Sequence, residues 1–145
     1  WYRFQIPYLV RHRTFFGDIE SWNVWGSIGL VQIRSLIEEI NNKISSLPKN
    51  YTDFYLYTLR HKPKRGINAS SISDISSIPR ATVIRKLKTL EKNKHIMRNK
   101  RLEYFLAPKS DNLKGFEKNY LINQRSWSDY CTTMFNLMKF SKFSI

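Results

Sequence analysis

Residues 78–93, IPRATVIRKLKTLEKN, constrain the fold more than any other stretch. Pro79 brings a fixed φ that suits the first position of a helix, where a missing N–H costs nothing. Val83, Leu87 and Leu90 recur at i, i+4 and i+7, and Ile84 widens that apolar stripe. Arg80, Thr82, Arg85, Lys86 and Thr89 fall off the stripe and are expected to face outward. No acid appears before Glu91. A solvated helix face ordinarily mixes signs, and this one does not until its end.

The residues on either side give this helix its setting. In SSISDISSIP, Ser71 or Ser73 is available as the N-cap of a short helix that carries Ile72 and Ile75. Ser76 and Ser77 then make a tight break, and Ile78 plugs the corner between two helices. Behind the basic helix comes KHIMRNKRLEYFLAP. Asn99 and Lys100 read as a turn between strands at 95–98 and 101–106, since Leu102, Tyr104 and Leu106 alternate with Arg101, Glu103 and Phe105. The tip of that hairpin bears Arg98, Lys100 and Arg101. A helix-turn-helix followed by a basic hairpin is a winged helix.

The run SSISDISSIPRATVIRKLKTLEKNKHIMRNKRLEYFLAP resembles the winged-helix domain of MarR-type bacterial transcriptional regulators, most closely over ATVIRKLKTLEKN and the strand pair behind it. Its wing tip, RNKR, departs from that family in having no Asp ahead of the arginine. The resemblance implies a DNA-binding transcriptional regulator that works as a homodimer, with dimer contacts in the helices flanking the winged domain. A small-molecule effector is compatible with it, of unknown identity.

The charge balance points the same way. The chain of 145 residues carries a formal net charge of +14, which favours a polyanionic partner. The apolar fraction of 41% is that of a folded protein with a sizeable core. The nearest approach to a membrane span, VWGSIGLVQIRSLI, is interrupted by Gln32 and Arg34. No signal-peptide pattern is present in this stretch of sequence, and the expected location is cytoplasmic, on the nucleoid. The chain begins at Trp1 rather than Met, which leaves room for a preceding segment.

The flanks read as helical support. Tyr2, Phe4 and Ile6 alternate with Trp1, Arg3 and Gln5, so a short extended arm is expected at the N-terminus. Residues 27–46 are expected to be helical, with Ile33, Ile37, Ile40, Ile44 and Leu47 forming a heptad seam. A further helix is expected over 51–61, then a basic loop with Arg60, Lys62, Lys64 and Arg65, and a short strand at 67–69. Beyond a linker at 108–112, a helical pattern runs from Lys114 to about Phe140, with a break near Ser126–Ser128. Its large side chains, Trp127, Tyr130, Met134 and Leu137 among them, require a partner surface.

Catalytic chemistry has no footing here. His12, His61 and His95 share no metal-ligand spacing with each other or with Cys131. Neither a dinucleotide fingerprint nor a P-loop occurs among only five glycines. No carboxylate pair stands out for acid–base work, and helix capping accounts for the serine cluster. Neither enzyme activity, metal nor cofactor is expected. Cys131 is alone; a buried thiol is the ordinary reading and a redox sensor the alternative.

The expectation is therefore a mainly α protein with a small β-hairpin, a winged helix-turn-helix flanked by N- and C-terminal helices. Residues 1–50 and 109–145 are dimerisation candidates, and 51–108 is the DNA-binding domain. Double-stranded DNA is the expected partner. Arg80, Thr82 and Arg85, near the start of the recognition helix, are assigned to base edges in the major groove. Lys86 and Lys88 are assigned to phosphates, Ser71, Ser73 and Ser77 ahead of them to the backbone, and Thr89 is a further DNA-contact candidate. Arg98, Lys100 and Arg101 are assigned to the flanking minor groove or its phosphates. The alternatives are a winged-helix interaction or nucleic-acid-binding module within a larger assembly, and a replication initiator.

Overall fold

The N-terminal segment is a helix, α1 (Tyr2–Phe16), and not the short extended arm expected for it. The two-residue alternation is overruled by a four-residue period. Phe4, Tyr8, His12 and Phe16 stack along one side of the helix, with successive ring centroids 5.4, 4.1 and 6.4 Å apart. Pro7 is exposed on another side, and its missing N–H frees just one carbonyl a turn earlier. The computed structural model describes residues 2–42, 65–107 and 113–140.

Gly17, at φ +86°, turns the chain out of α1. Asp18 then caps α2 (Ile19–Asn42): its Oδ1 accepts the Ser21 N–H at 2.7 Å and its Oδ2 the Ser21 hydroxyl at 3.0 Å. This helix starts well ahead of the residue 27 start expected, because the cap lies ahead of the apolar periodicity. Its inner face is Ser21, Val24, Ile28, Gln32 and Leu36, all buried. The heptad seam is rotated off that face, with Ile33 half-buried and Ile37 44% exposed. The side chains of Ile40, Ile44 and Leu47 lie outside the described residues, as do the helix expected at 51–61, the loop cations up to residue 64 and the linker at 108–112.

Four elements follow in close order: α3 (Ala69–Ser76), α4 (Arg80–Lys92), β1 (Ile96–Arg98) and β2 (Tyr104–Leu106). The strands form an antiparallel hairpin with Ile96 opposite Leu106 and Arg98 opposite Tyr104. Both strands are shorter than expected, and Arg101 lies in the connecting turn rather than in a strand. Ile67 adds a single bridge on the free side of β2. The Tyr104 N–H donates to the Ile67 carbonyl at 2.8 Å, and the Ile67 N–H returns a bond at 3.3 Å. The strand expected at 67–69 stops there because Asn68 leaves to cap α3, its Oδ1 accepting the Ser71 N–H at 2.9 Å. That cap replaces the Ser71 or Ser73 expected.

One apolar core joins these parts. Phe16, Val24 and Ile28 pack in the same cluster as Ile72, Ile78, Val83, Leu87, Leu90, Ile96, Tyr104 and Leu106. The basic helix is therefore held on its inner stripe by α2, α3 and the hairpin together.

The last element, α5 (Leu113–Phe140), runs unbroken through Ser126–Ser128. The Ser126 hydroxyl folds back on the Ile122 carbonyl at 2.9 Å, which satisfies it within the helix. α5 packs on α1 through Phe4 against Trp127 and Tyr130, and through the Arg11 Nε bond to Asn123 Oδ1 at 2.8 Å. Leu121, Ile122, Trp127, Met134 and Phe135 remain exposed on it. Among the described residues the protein is mainly helical with one two-stranded hairpin, and no helix is long and apolar enough to cross a membrane.

Candidate nucleic-acid interface

α4 divides its residues as a period of 3.6 requires. Val83, Leu87 and Leu90 are buried to 1% exposure or less. Arg80, Ala81, Arg85, Lys88, Thr89 and Lys92 lie on the exposed side, while Thr82, Ile84, Lys86 and Glu91 flank the buried stripe. Among the described residues, Arg80, Arg85, Lys88 and Lys92 have no carboxylate partner. Thr89 donates its hydroxyl to the Arg85 carbonyl at 3.3 Å, a long bond that leaves its oxygen outward. Pro79 is the N-cap rather than the first helical residue, and it supplies no side-chain acceptor. With no acid in the first turn either, the positive end of the helix is uncompensated by any side chain of α4.

The turn ahead of α4 is built from serine hydroxyls. The Ser73 hydroxyl donates to the Ile78 carbonyl at 2.7 Å, and the Ser76 hydroxyl to the Ile72 carbonyl at 2.7 Å. Ser77 takes the left-handed conformation at φ 55°, and Ile78 is buried in the corner, as expected. Ser77 is exposed and Ser71 half-buried, whereas the Ser73 proton is committed to the turn. Ser73 is thus a brace of the turn and not a free donor.

Lys86 departs furthest from expectation. Its side chain is 14% exposed, and Nζ lies 2.8 Å from Asp18 Oδ2 and 3.1 Å from Glu20 Oε2. Those two bonds hold the ammonium above its ordinary pKa against the opposing effect of burial. Asp18 is held below its ordinary pKa by Lys86 and the two Ser21 bonds, although burial pulls the other way as the largest single effect. Lys86 does not belong to the exposed row; its partners come from the α1–α2 elbow, far away in sequence.

The hairpin presents its tip as a closed loop. Asn99 Oδ1 accepts the N–H of Arg101 at 2.9 Å and that of Glu103 at 3.0 Å, and Asn99 Nδ2 donates to Glu103 Oε2 at 2.7 Å. Lys100 and Arg101 are exposed on this braced loop. Arg98 is exposed too, but its Nε is 3.5 Å from Glu91 Oε1, so it ties β1 to α4 rather than standing free. Glu91 thus pairs with Arg98 and not with Arg101.

A cavity of about 1050 Å³ opens between α1, α2 and α5, lined by Phe4, Tyr8, His12, Trp22, Trp25 and Trp127. The i, i+4 aromatics of α1 are the sequence signal for it. His12 donates through Nδ1 to the Tyr8 carbonyl at 2.7 Å, and burial holds its pKa below the ordinary value. His95 sits beyond it against Phe15 and Phe16 and is shifted the same way by burial. Among the described residues no group of His, Cys, Asp and Glu side chains is placed to hold a metal ion. No protein-family model, curated protein or solved structure matches this chain.

Proposed function

We propose that this protein is a winged helix-turn-helix transcriptional regulator of MarR-like type that binds double-stranded DNA. The observation that carries the reading is the exposed side of α4, where, among the described residues, Arg80, Arg85, Lys88 and Lys92 have no carboxylate partner. Structural helices at a surface ordinarily pair such charges along the face. In this reading α4 enters the major groove, which is wide enough for a helix and displays a full donor and acceptor code. Arg80 and Arg85 meet base edges, and Lys88, Lys92 and the uncapped helix start meet phosphates. Lys100 and Arg101 on the closed wing tip reach the neighbouring backbone or minor groove.

The protein acts as a homodimer in this reading, with the exposed apolar side chains of α5 in the subunit contact. Two copies would then read half-sites about one helical turn apart, on the order of 34 Å.

The test is selection of bound fragments from random DNA, followed by titration of the selected fragment and of random DNA at physiological salt. A regulator retains a preference on the order of 10³ or more for the selected fragment. Equal affinity for both, falling together with salt, would instead identify a nucleic-acid-binding or assembly module that reads no sequence.

A further inference from the structure

We propose that Lys86 is a positioning residue: it clamps α4 to the α1–α2 elbow and so fixes the rotation at which Arg80, Arg85 and Lys88 are presented. This rests on the reading of α4 as the DNA-contacting helix.

The geometry is that of a clamp. One ammonium is shared by Asp18 and Glu20 at 2.8 and 3.1 Å, and its side chain is 14% exposed. Asp18 is itself immobilised, because both its oxygens are bonded to Ser21 in the first turn of α2. Lys86 is therefore registered against the start of α2, and that start is set by the left-handed Gly17. On the other flank of the buried stripe, Glu91 reaches Arg98 of β1 at 3.5 Å. α4 is thus restrained on both sides, to the elbow on one and to the hairpin on the other.

Such restraint matters because the inner stripe cannot supply it. Val83, Leu87 and Leu90 are held by apolar contact, which is non-directional and tolerates a small roll with side-chain repacking. Charge-assisted hydrogen bonds are directional and resist that roll. A bidentate contact from Arg80 or Arg85 to a base edge depends on that angle, whereas contact to phosphate depends on it little. Loss of the clamp is expected to erode sequence preference while leaving general attraction to DNA intact.

Three variants test this: Lys86→Met, which keeps the aliphatic stem; Asp18→Asn with Glu20→Gln, in which Asn still caps α2; and all three changes together. The expected result is a loss on the order of 10-fold in affinity for the selected fragment in each, with no further loss in the combination. Affinity for random DNA and the slope of log affinity against log salt should stay as in the wild type. A parallel fall on random DNA in Lys86→Met, with the slope reduced by about one unit, would show Lys86 on a phosphate and overturn the proposal. Unchanged affinity for the selected fragment in all three would overturn it equally. If the wild type itself prefers no DNA, the regulator reading has failed and the clamp is judged by hydrogen exchange alone. Amides of 82–90 and 21–24 should then exchange faster together in Lys86→Met, and unaltered protection sinks the clamp.

Discussion

Gln32, in the middle of α2, accepts the backbone N–H of Leu106 in β2 through Oε1 at 3.2 Å. Both residues are buried, at 2% and 3% exposure. A polar side chain beside Ile28 and Leu36 on the buried face of α2 thus satisfies the strand of the hairpin that lies against it. Replacing Gln32 by Leu removes the acceptor and leaves a buried donor unpaired. We expect a loss of about 1–3 kcal/mol in stability, measured by urea denaturation.

Gly66 stands where β2 passes. A Cβ there would lie 2.8 Å from the Tyr104 carbonyl oxygen and 2.7 Å from Phe105 Cζ. The ring can move and the strand backbone cannot without breaking the Ile67–Tyr104 bridge. Gly66→Ala should cost about 1–3 kcal/mol and raise hydrogen exchange in β2 before the rest of the protein. Exchange at wild-type rates in β2 would contradict this.

His12 and His95 make stability depend on pH. Burial lowers the folded pKa of both below the ordinary 6.5. In acid the unfolded chain takes up these protons first. Their contribution is therefore fully present above the unfolded pKa and declines as pH falls below it. Thermal melts between about pH 7.5 and pH 5 should show a falling midpoint. His95→Phe, which keeps a ring against Phe15 and Phe16, should make that fall shallower.

On the proposed reading, Arg85 and Lys100 would separate the two kinds of DNA contact. Arg85→Ala should cost about 1–3 kcal/mol on a selected fragment and relax preference at one base pair. Lys100→Ala should weaken all DNA alike and lower the salt slope by about one unit. Gel-shift titrations at several salt concentrations decide both.

α5 offers a test of assembly. Phe135 is 63% exposed and Leu121 49% exposed, in a helix whose described side chains are never fully buried. If α5 forms the proposed subunit contact, Phe135→Glu with Leu121→Lys should shift the sedimentation coefficient from dimer to monomer and leave the far-ultraviolet dichroism unchanged. A wild type already monomeric at micromolar concentration would exclude the α5 contact.

Much of this arrangement could be read from local pattern. The stripe of Val83, Leu87 and Leu90 fixed α4, its buried face and its cationic side, since a 3.6-residue period is written in the chain itself. The hairpin and the plug at Ile78 followed from turn residues for the same reason. At the N-terminus three alternating residues ahead of Pro7 imitate a strand, while the period that decides, from Phe4 to Phe16, spans more of the chain. Lys86 was misplaced on the outer face for a different reason. Its position on the flank of the stripe is local, but its partners Asp18 and Glu20 reach it through tertiary structure alone. In sequence Gln32 reads as an interruption of an apolar run, because nothing in its neighbourhood announces a strand edge to satisfy.

The five-residue turn closed by Asn99 carries a thermodynamic consequence. Its backbone is held by the Asn99 carboxamide together with the Asn99 N–H bond to Glu103 and the Leu102 N–H bond to Asn99, so on the proposed reading Lys100 and Arg101 would meet DNA with their anchor points in register. Docking then immobilises two side chains and not a whole segment, which keeps the entropic penalty of association small. Asn99→Ala would remove the side-chain bonds and leave the two backbone bonds, so the turn would loosen, and on the proposed reading faster dissociation from DNA is the expected symptom.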